Sequence, residues 1–144
     1  MTEGKKVVYR VIYGDTDCGG VVYYGNYFRF FEIGRTELLR TTGLSYRQIE
    51  EEEGLILPVV EAHARYRAPA RYDDELLIET RVSELQPHKI RFDYVIYREG
   101  RPIVQGYTVH APINREGRLV KFPARILQCL QGLVRSPDRE KNNE

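Results

Sequence analysis

The sequence predicts an α+β domain: one antiparallel sheet with a long helix inserted after its first strand. Three observations carry this. Residues Lys6 to Tyr13 alternate in the period of a strand, the apolar period lengthens to that of a helix from about Gly25, and alternation returns from Leu55 to Phe122. A chain of 144 residues supports one hydrophobic core and not two sizeable ones. Its 42% hydrophobic and 30% charged residues are the balance of a globular protein rather than a disordered one.

In the first segment Val7, Tyr9, Val11 and Tyr13 share one side, with Val8, Arg10 and Ile12 on the other. Asp15 to Gly20 then breaks the pattern with turn chemistry. Tyr27, Phe30, Phe31, Gly34 and Leu38 fall at helical spacing, and Gly43 can end the helix. A helix of ~17 residues is about 25 Å long, enough to cross a sheet. Gly34 in its interior costs about 1 kcal/mol against Ala, and close approach of helix to sheet offsets that cost. Ser45 and Gln48 form a capping box, Leu44 and Ile49 a hydrophobic staple, and Gly54 stops this second helix.

Later, Val60, Ala62, Ala64 and Tyr66 form one strand face, and Pro69 interrupts at an edge or bulge. Leu76, Ile78, Thr80 and Val82 form another face, and Ile90, Phe92, Tyr94 and Ile96 a third. Glu99-Gly100 turns the chain into a strand over Ile103 to Ala111, and Asn114 to Gly117 turns it into a last strand over Leu119 to Phe122. Pro123 opens a final helix with Ile126, Leu127 and Leu130 as its stripe. The domain is expected over 1–134, with 135–144 a polar tail. A sheet with one helix covers only one face well, so a second copy of the chain is the expected partner.

Composition narrows the function. With 22 Lys+Arg against 21 Asp+Glu, the net charge of +1 lacks the basic footprint of a dedicated nucleic-acid binder. No apolar run is long enough for a membrane span, and no signal-peptide core precedes the first strand. Cys18 and Cys129 fit no zinc or redox spacing, and are expected to be free thiols of a cytoplasmic protein. Eleven tyrosines and no tryptophan suit half-wet surfaces and interfaces.

Tyr13 to Tyr27 reads YGDTDCGGVVYYGNY. This D-x-D-x-x-G-V-V-Y-Y-x-N-Y segment resembles the signature of the 4-hydroxybenzoyl-CoA thioesterase family of hotdog-fold proteins. Tyr66-Arg67-Ala68-Pro69 and Tyr72 to Leu76 resemble that family's second recurring stretch, and the order of elements agrees over about residues 5 to 130. The resemblance implies a curved antiparallel sheet around one long helix, dimerising through the sheet edge, with active sites between subunits. It implies that Asp17 attacks a thioester carbonyl or activates a water, and that the Tyr24 amide at the tip of the long helix holds the oxyanion. Chemistry agrees: first-turn amides lack intrahelical acceptors and carry the positive end of the dipole, which suits an oxyanion. Gly25 adds a second amide there, and Gly19, Gly20 and Gly25 let the backbone come near a ligand.

Spacing alone makes Asp15 and Asp17 turn residues. The surrounding match reverses this for Asp17 and leaves Asp15 as a loop-shaping acceptor. With no third ligand nearby, Asp15-Thr16-Asp17 is a poor metal site, and no cofactor is expected. Asn26 reads as a helix cap. Glu32 is a candidate for substrate or partner contact, or for an ion pair with Arg35. His88, Lys89 and Arg91 are the best candidate clamp for coenzyme A phosphates, with Arg65, Arg67 and Arg71 as rivals and a solvated sheet face as the bland alternative. The family's aliphatic branch carries a His where this chain has Tyr24, which instead matches the aryl branch. His63, His88 and His110 share no motif and read as structural.

The reading is therefore a thioester hydrolase that releases free acid and coenzyme A, a homodimer or homotetramer in the cytoplasm. Two readings stay open beside it. A hotdog hydratase or dehydratase needs a His paired with a carboxylate, and a non-catalytic acyl-thioester binder would keep only the fold.

Overall fold

The computed structural model describes residues 4–134. The expected tail, 135–144, lies outside them. β1 (Lys5–Arg10) is followed by a single 3-10 turn (Tyr13–Asp15), then α1 (Asn26–Arg40) and α2 (Tyr46–Glu53). β2 (Val59–Tyr66), β3 (Glu75–Gln86), β4 (Lys89–Arg98), β5 (Arg101–His110) and α3 (Ala124–Gln131) complete the order. The five strands form one sheet in the order β1-β3-β4-β5-β2, antiparallel throughout. With α1 packed across β1, β3 and β4, this is the hotdog arrangement.

Alternation dictates which residues meet α1. Leu76 and Ile78 of β3, Ile90, Phe92, Tyr94 and Ile96 of β4 and Val104 of β5 point inward and are buried. From α1 come Phe30 and Phe31, both fully buried, each worth about 1.5–3 kcal/mol of transfer energy. The Phe31 ring stacks on Tyr94 with centroids 4.2 Å apart. Gly34 lies where the helix comes nearest the sheet: a Cβ there would collide with Thr80 Oγ1 and come within 2.9 Å of Ile78 Cγ2. α2 has the expected capping box, with Gln48 N–H donating to Ser45 Oγ at 3.2 Å, and ends at Gly54 in the left-handed conformation.

Two expectations need correction. The inner-face alternation does not extend to Tyr13, which the 3-10 turn swings outward to 72% exposure. Leu119 to Phe122 is not a strand and makes only the single bridge Ile113–Leu119. Asn114 Oδ1 gathers the Glu116 and Arg118 amides into a closed turn. Pro123 follows, and Phe122 N–H donates to the Pro87 carbonyl instead of a ladder partner.

One buried polar chain runs through the core. The Leu57 carbonyl can only accept, so His110 Nδ1–H donates to it, at 3.0 Å. Nε2 must then accept from the Thr108 hydroxyl at 2.9 Å, and Thr108 Oγ1 accepts from Tyr94 OH at 2.6 Å. Arg35 Nη1 approaches Tyr94 OH at 3.4 Å. Burial pushes the His110 imidazole down to about 4, against a partial rise from the Leu57 bond. An imidazole depressed in the folded state takes up its proton first in the unfolded state. Its contribution is therefore complete above pH ~6.5 and is lost as pH falls towards 4. Native protein is expected to lose up to about 3 kcal/mol more than His110→Gln over that window, as read from urea midpoints across pH. Parallel curves for the two proteins would contradict this.

Candidate active site

The loop between β1 and α1 is a miniature hairpin. Thr16 bridges Val22, Asp17 N–H donates to the Val21 carbonyl at 2.9 Å, and Gly20 N–H donates to the Asp17 carbonyl at 3.0 Å. Gly20 closes the turn at φ 81°, a conformation that favours glycine. Gly19 N–H donates to Asp17 Oδ1 at 2.8 Å, so one carboxylate oxygen is tied to the loop. The other has no hydrogen-bond partner among the described residues, and the side chain is exposed.

The return arm leads straight into the tip of α1. Gly25 is the N-cap and supplies no side-chain cap. Asn26, expected to cap, sends its Nδ2 to the Asp15 carbonyl at 2.8 Å instead. Asn26, Tyr27 and Phe28 N–H groups close three-residue turns onto the carbonyls of Tyr23, Tyr24 and Gly25. The N–H groups of Tyr24 and Gly25 are left with no acceptor among the described residues. Asp17 pairs with Val21, three residues before Tyr24 and four before Gly25, so these amides lie at most about 13 Å of extended chain from the residue Asp17 pairs with.

A second segment completes the tip. Tyr66, at the end of β2, donates its hydroxyl to the Tyr24 carbonyl at 3.1 Å. That carbonyl shares a peptide plane with Gly25 N–H, so holding one aims the other the opposite way. Burial, reinforced by Tyr24, raises the Tyr66 phenol, which keeps it a donor at neutral pH. Tyr24, Tyr27, Tyr66, Arg67, Ala68 and Pro69 line a cleft of about 270 Å³ against Val22. The two sequence stretches that resemble the family thus meet at one place.

Asp15 is fully buried. It accepts from Tyr9 OH at 2.8 Å, from Ile12 N–H at 2.9 Å and from Arg29 Nη2. It is the loop-shaping acceptor that turn chemistry predicted. Its carboxylate faces Arg29 while that of Asp17 faces solvent, so the pair does not converge as metal ligands would. Arg29 and Tyr9 were not among the sequence candidates. Arg29 stands 14 residues from Asp15, and no local pattern links them.

The other candidates lie elsewhere. Glu32 is exposed about two turns along α1, with Oε1 3.9 Å from Arg35 Nη2. It borders a cavity of about 260 Å³ shared with Arg35, Tyr46 and Leu55. His88 is exposed in the β3–β4 turn. Lys89 Nζ lies 3.3 Å from Glu84, and Arg91 Nε donates to Asp93 at 2.9 Å with its guanidinium 3.9 Å above the Tyr107 ring. Lys89 and Arg91 alternate with inward Ile90 and Phe92, so they project from the outer face of the sheet, away from α1. His63 stacks on Tyr107 and His110 belongs to the core chain, so neither hydrogen-bonds to Asp17.

Residues 11–130 match the family model described as the Thioesterase-like superfamily. The chain is 40% identical over 128 residues to the acyl-CoA thioester hydrolase YbgC of Escherichia coli O6:H1, covering 89% of this chain and 83% of that protein. A solved structure of a hypothetical protein from Thermus thermophilus aligns at TM-score 0.84 and 33% identity, covering 89% of this chain and 98% of that one. A 4-hydroxybenzoyl-CoA thioesterase complexed with 4-hydroxybenzoyl-CoA aligns at TM-score 0.81, covering 90% of this chain and 99% of that one. At 24% identity that last likeness shows the shared fold.

Proposed function

Because this chain belongs to the Thioesterase-like superfamily, we propose that it acts as an acyl-CoA thioesterase, hydrolysing an acyl- or aryl-CoA to the free acid and coenzyme A. The observation that carries this reading is the pair of unengaged N–H groups, Tyr24 and Gly25, at an uncapped helix tip on the same loop as an exposed carboxylate.

The thioester carbonyl oxygen would sit on those two amides. Asp17 either attacks the carbonyl carbon or takes a proton from a water that does. Negative charge then grows on the oxygen, where two fixed donors and the helix dipole oppose it. The C–S bond breaks as the oxyanion collapses, and the thiolate leaves and takes up a proton. On the direct route, water then hydrolyses the acyl–aspartyl anhydride and restores the carboxylate. A thiolate is a good leaving group, so the step needs no histidine triad. That no histidine hydrogen-bonds to Asp17 weighs against a hydratase, whose chemistry needs an acid–base partner beside the carboxylate.

We assign the rest of the site to a dimer. Among the described residues β2 pairs only with β5 and leaves an edge of eight residues with Val59 and Val60 exposed. The opposite edge, β1, carries Lys5, Lys6 and Arg10, the charges that discourage pairing. Joining two β2 edges makes a continuous sheet and brings a second chain to the Tyr66 end of the cleft. The tetramer expected as an alternative would need further pairing of such dimers. For the phosphates, His88, Lys89 and Arg91 remain the proposed clamp, with a phosphate displacing Glu84 and Asp93 from their cations. Arg67, which lines the tip cleft and forks onto Gln105, is the rival nearest the amides. No helix among the described residues is long and apolar enough to cross a membrane. The free thiols of Cys18 and Cys129 suit the reducing cytoplasm.

Asp17→Asn is expected to fold with an unchanged melting temperature and to lose at least about a hundredfold in thiol release from CoA esters. Unchanged turnover across short, long and aromatic esters would remove the assigned role. Tyr66→Phe frees the Tyr24–Gly25 peptide and is expected to lower kcat by about three- to tenfold with little change in KM; an effect on KM alone would mean that Tyr66 only binds. In solution the chain is expected at twice its monomer mass or a multiple of that, measurable by light scattering; a monomer at working concentration would contradict the shared cleft.

A further inference from the structure

We infer that Asp15, with Arg29 as its counter-charge, is the positioning residue that sets the distance between the Asp17 carboxylate and the helix-tip amides. The inference rests on the hydrolase reading for its kinetic consequence.

Five hydrogen bonds converge on this one residue. Its side chain receives Tyr9 from β1, Ile12 from the loop and Arg29 from α1. Its carbonyl receives Tyr23 N–H at 2.9 Å and Asn26 Nδ2 at 2.8 Å. These partners are the pieces that must be held in register. Tyr23 immediately precedes the Tyr24 amide, Asn26 is the first residue of α1, and Asp17 follows Asp15 by two residues. The Tyr23–Asp15 bond fixes the hairpin arms against each other, and the Asn26 bond ties the first residue of α1 to the same carbonyl. A shift of Asp15 therefore moves the acid and the oxyanion donors relative to one another, although Asp15 itself touches neither.

Charge explains why this joint depends on Arg29. A fully buried carboxylate is costly unless paired, and Arg29 is the cation that reaches it among the described residues. The guanidinium is held over the Phe30 ring at 5.2 Å and near Tyr9 at 6.0 Å. Removing Arg29 leaves the Asp15 charge uncompensated and loosens the loop that carries Asp17. A role confined to folding would lower stability and leave each folded molecule fully active. A positioning role lowers turnover by folded molecules, because misplacement of about 1 Å costs as much as a hundredfold in rate.

The test compares native protein with Arg29→Met, Arg29→Lys, Asp15→Asn and the Asp15→Asn/Arg29→Met double variant, each assayed for thiol release well below its melting temperature. Arg29→Met is expected to lower kcat by between about tenfold and a hundredfold with KM within about twofold, and Arg29→Lys to recover most of the loss. The double variant is expected to be no slower than the slower single variant, because the two residues act as one unit. An unchanged kcat in folded Arg29→Met, or a rise in KM alone, overturns the inference, and this arm stands even where Asp15→Asn does not fold. If native protein cleaves no CoA ester, the hydrolase reading fails separately. The positioning claim is then decided by the amide NMR signals of Tyr24 and Gly25, which shift in Arg29→Met and return in Arg29→Lys if it is right, and stay in place if it is wrong.

Discussion

The first N–H groups of an α-helix have no carbonyl of their own helix to bond, and most helices cover them with a serine, threonine or aspartate side chain. In this chain the N-cap is Gly25, which has no side chain to give. The next residue, Asn26, already lies inside the helix and donates its Nδ2 to the Asp15 carbonyl. Three-residue turns absorb the N–H groups of Asn26, Tyr27 and Phe28, and those of Tyr24 and Gly25 stay available. Tyr24 is exposed and Gly25 half-buried, so these groups lie outside the packed core. The rest of the proposed site is arranged around that tip: a hairpin carries the Asp17 carboxylate, and Tyr66 fixes the peptide plane.

The fold makes such a tip tolerable. α1 lies on the sheet through Phe30, Phe31 and the close approach at Gly34, so its stability comes from burial and not from capping. The Tyr24 and Gly25 N–H groups just ahead of the helix can stay unpaired without fraying it. The polar chain from His110 to Arg35 passes through the hydroxyl of Tyr94, whose ring stacks on Phe31.

Much of this was legible in the sequence because it is written locally. Hydrophobic period located α1 and the strands, the Ser45–Gln48 box located α2, and Gly34 marked the helix–sheet approach. The D-x-D segment and the Tyr66–Pro69 stretch pointed to a candidate site through resemblance, and the Val22–Tyr27 end of that segment lines one cleft with Tyr66–Pro69. The unread parts depend on contacts between distant residues. Nothing near Asn26 showed that its amide would turn back to residue 15. Nothing near Asp15 pointed to Arg29, and Tyr66 reaches Tyr24 across 42 positions. Leu119 to Phe122 had the composition of a strand, but Asn114 closed the turn before it and Phe122 bonded the Pro87 carbonyl instead of a ladder partner.

The most direct test is a crystal structure of the protein with a CoA analogue in which a methylene group separates the sulfur from the acyl carbonyl, so that it binds but is not cleaved. The account predicts the ketone oxygen within about 2.7–3.1 Å of both the Tyr24 and the Gly25 nitrogens, with the Asp17 carboxylate facing the carbonyl carbon. A ketone oxygen turned to solvent, or an Asp17 side chain directed away from that carbon, would contradict it.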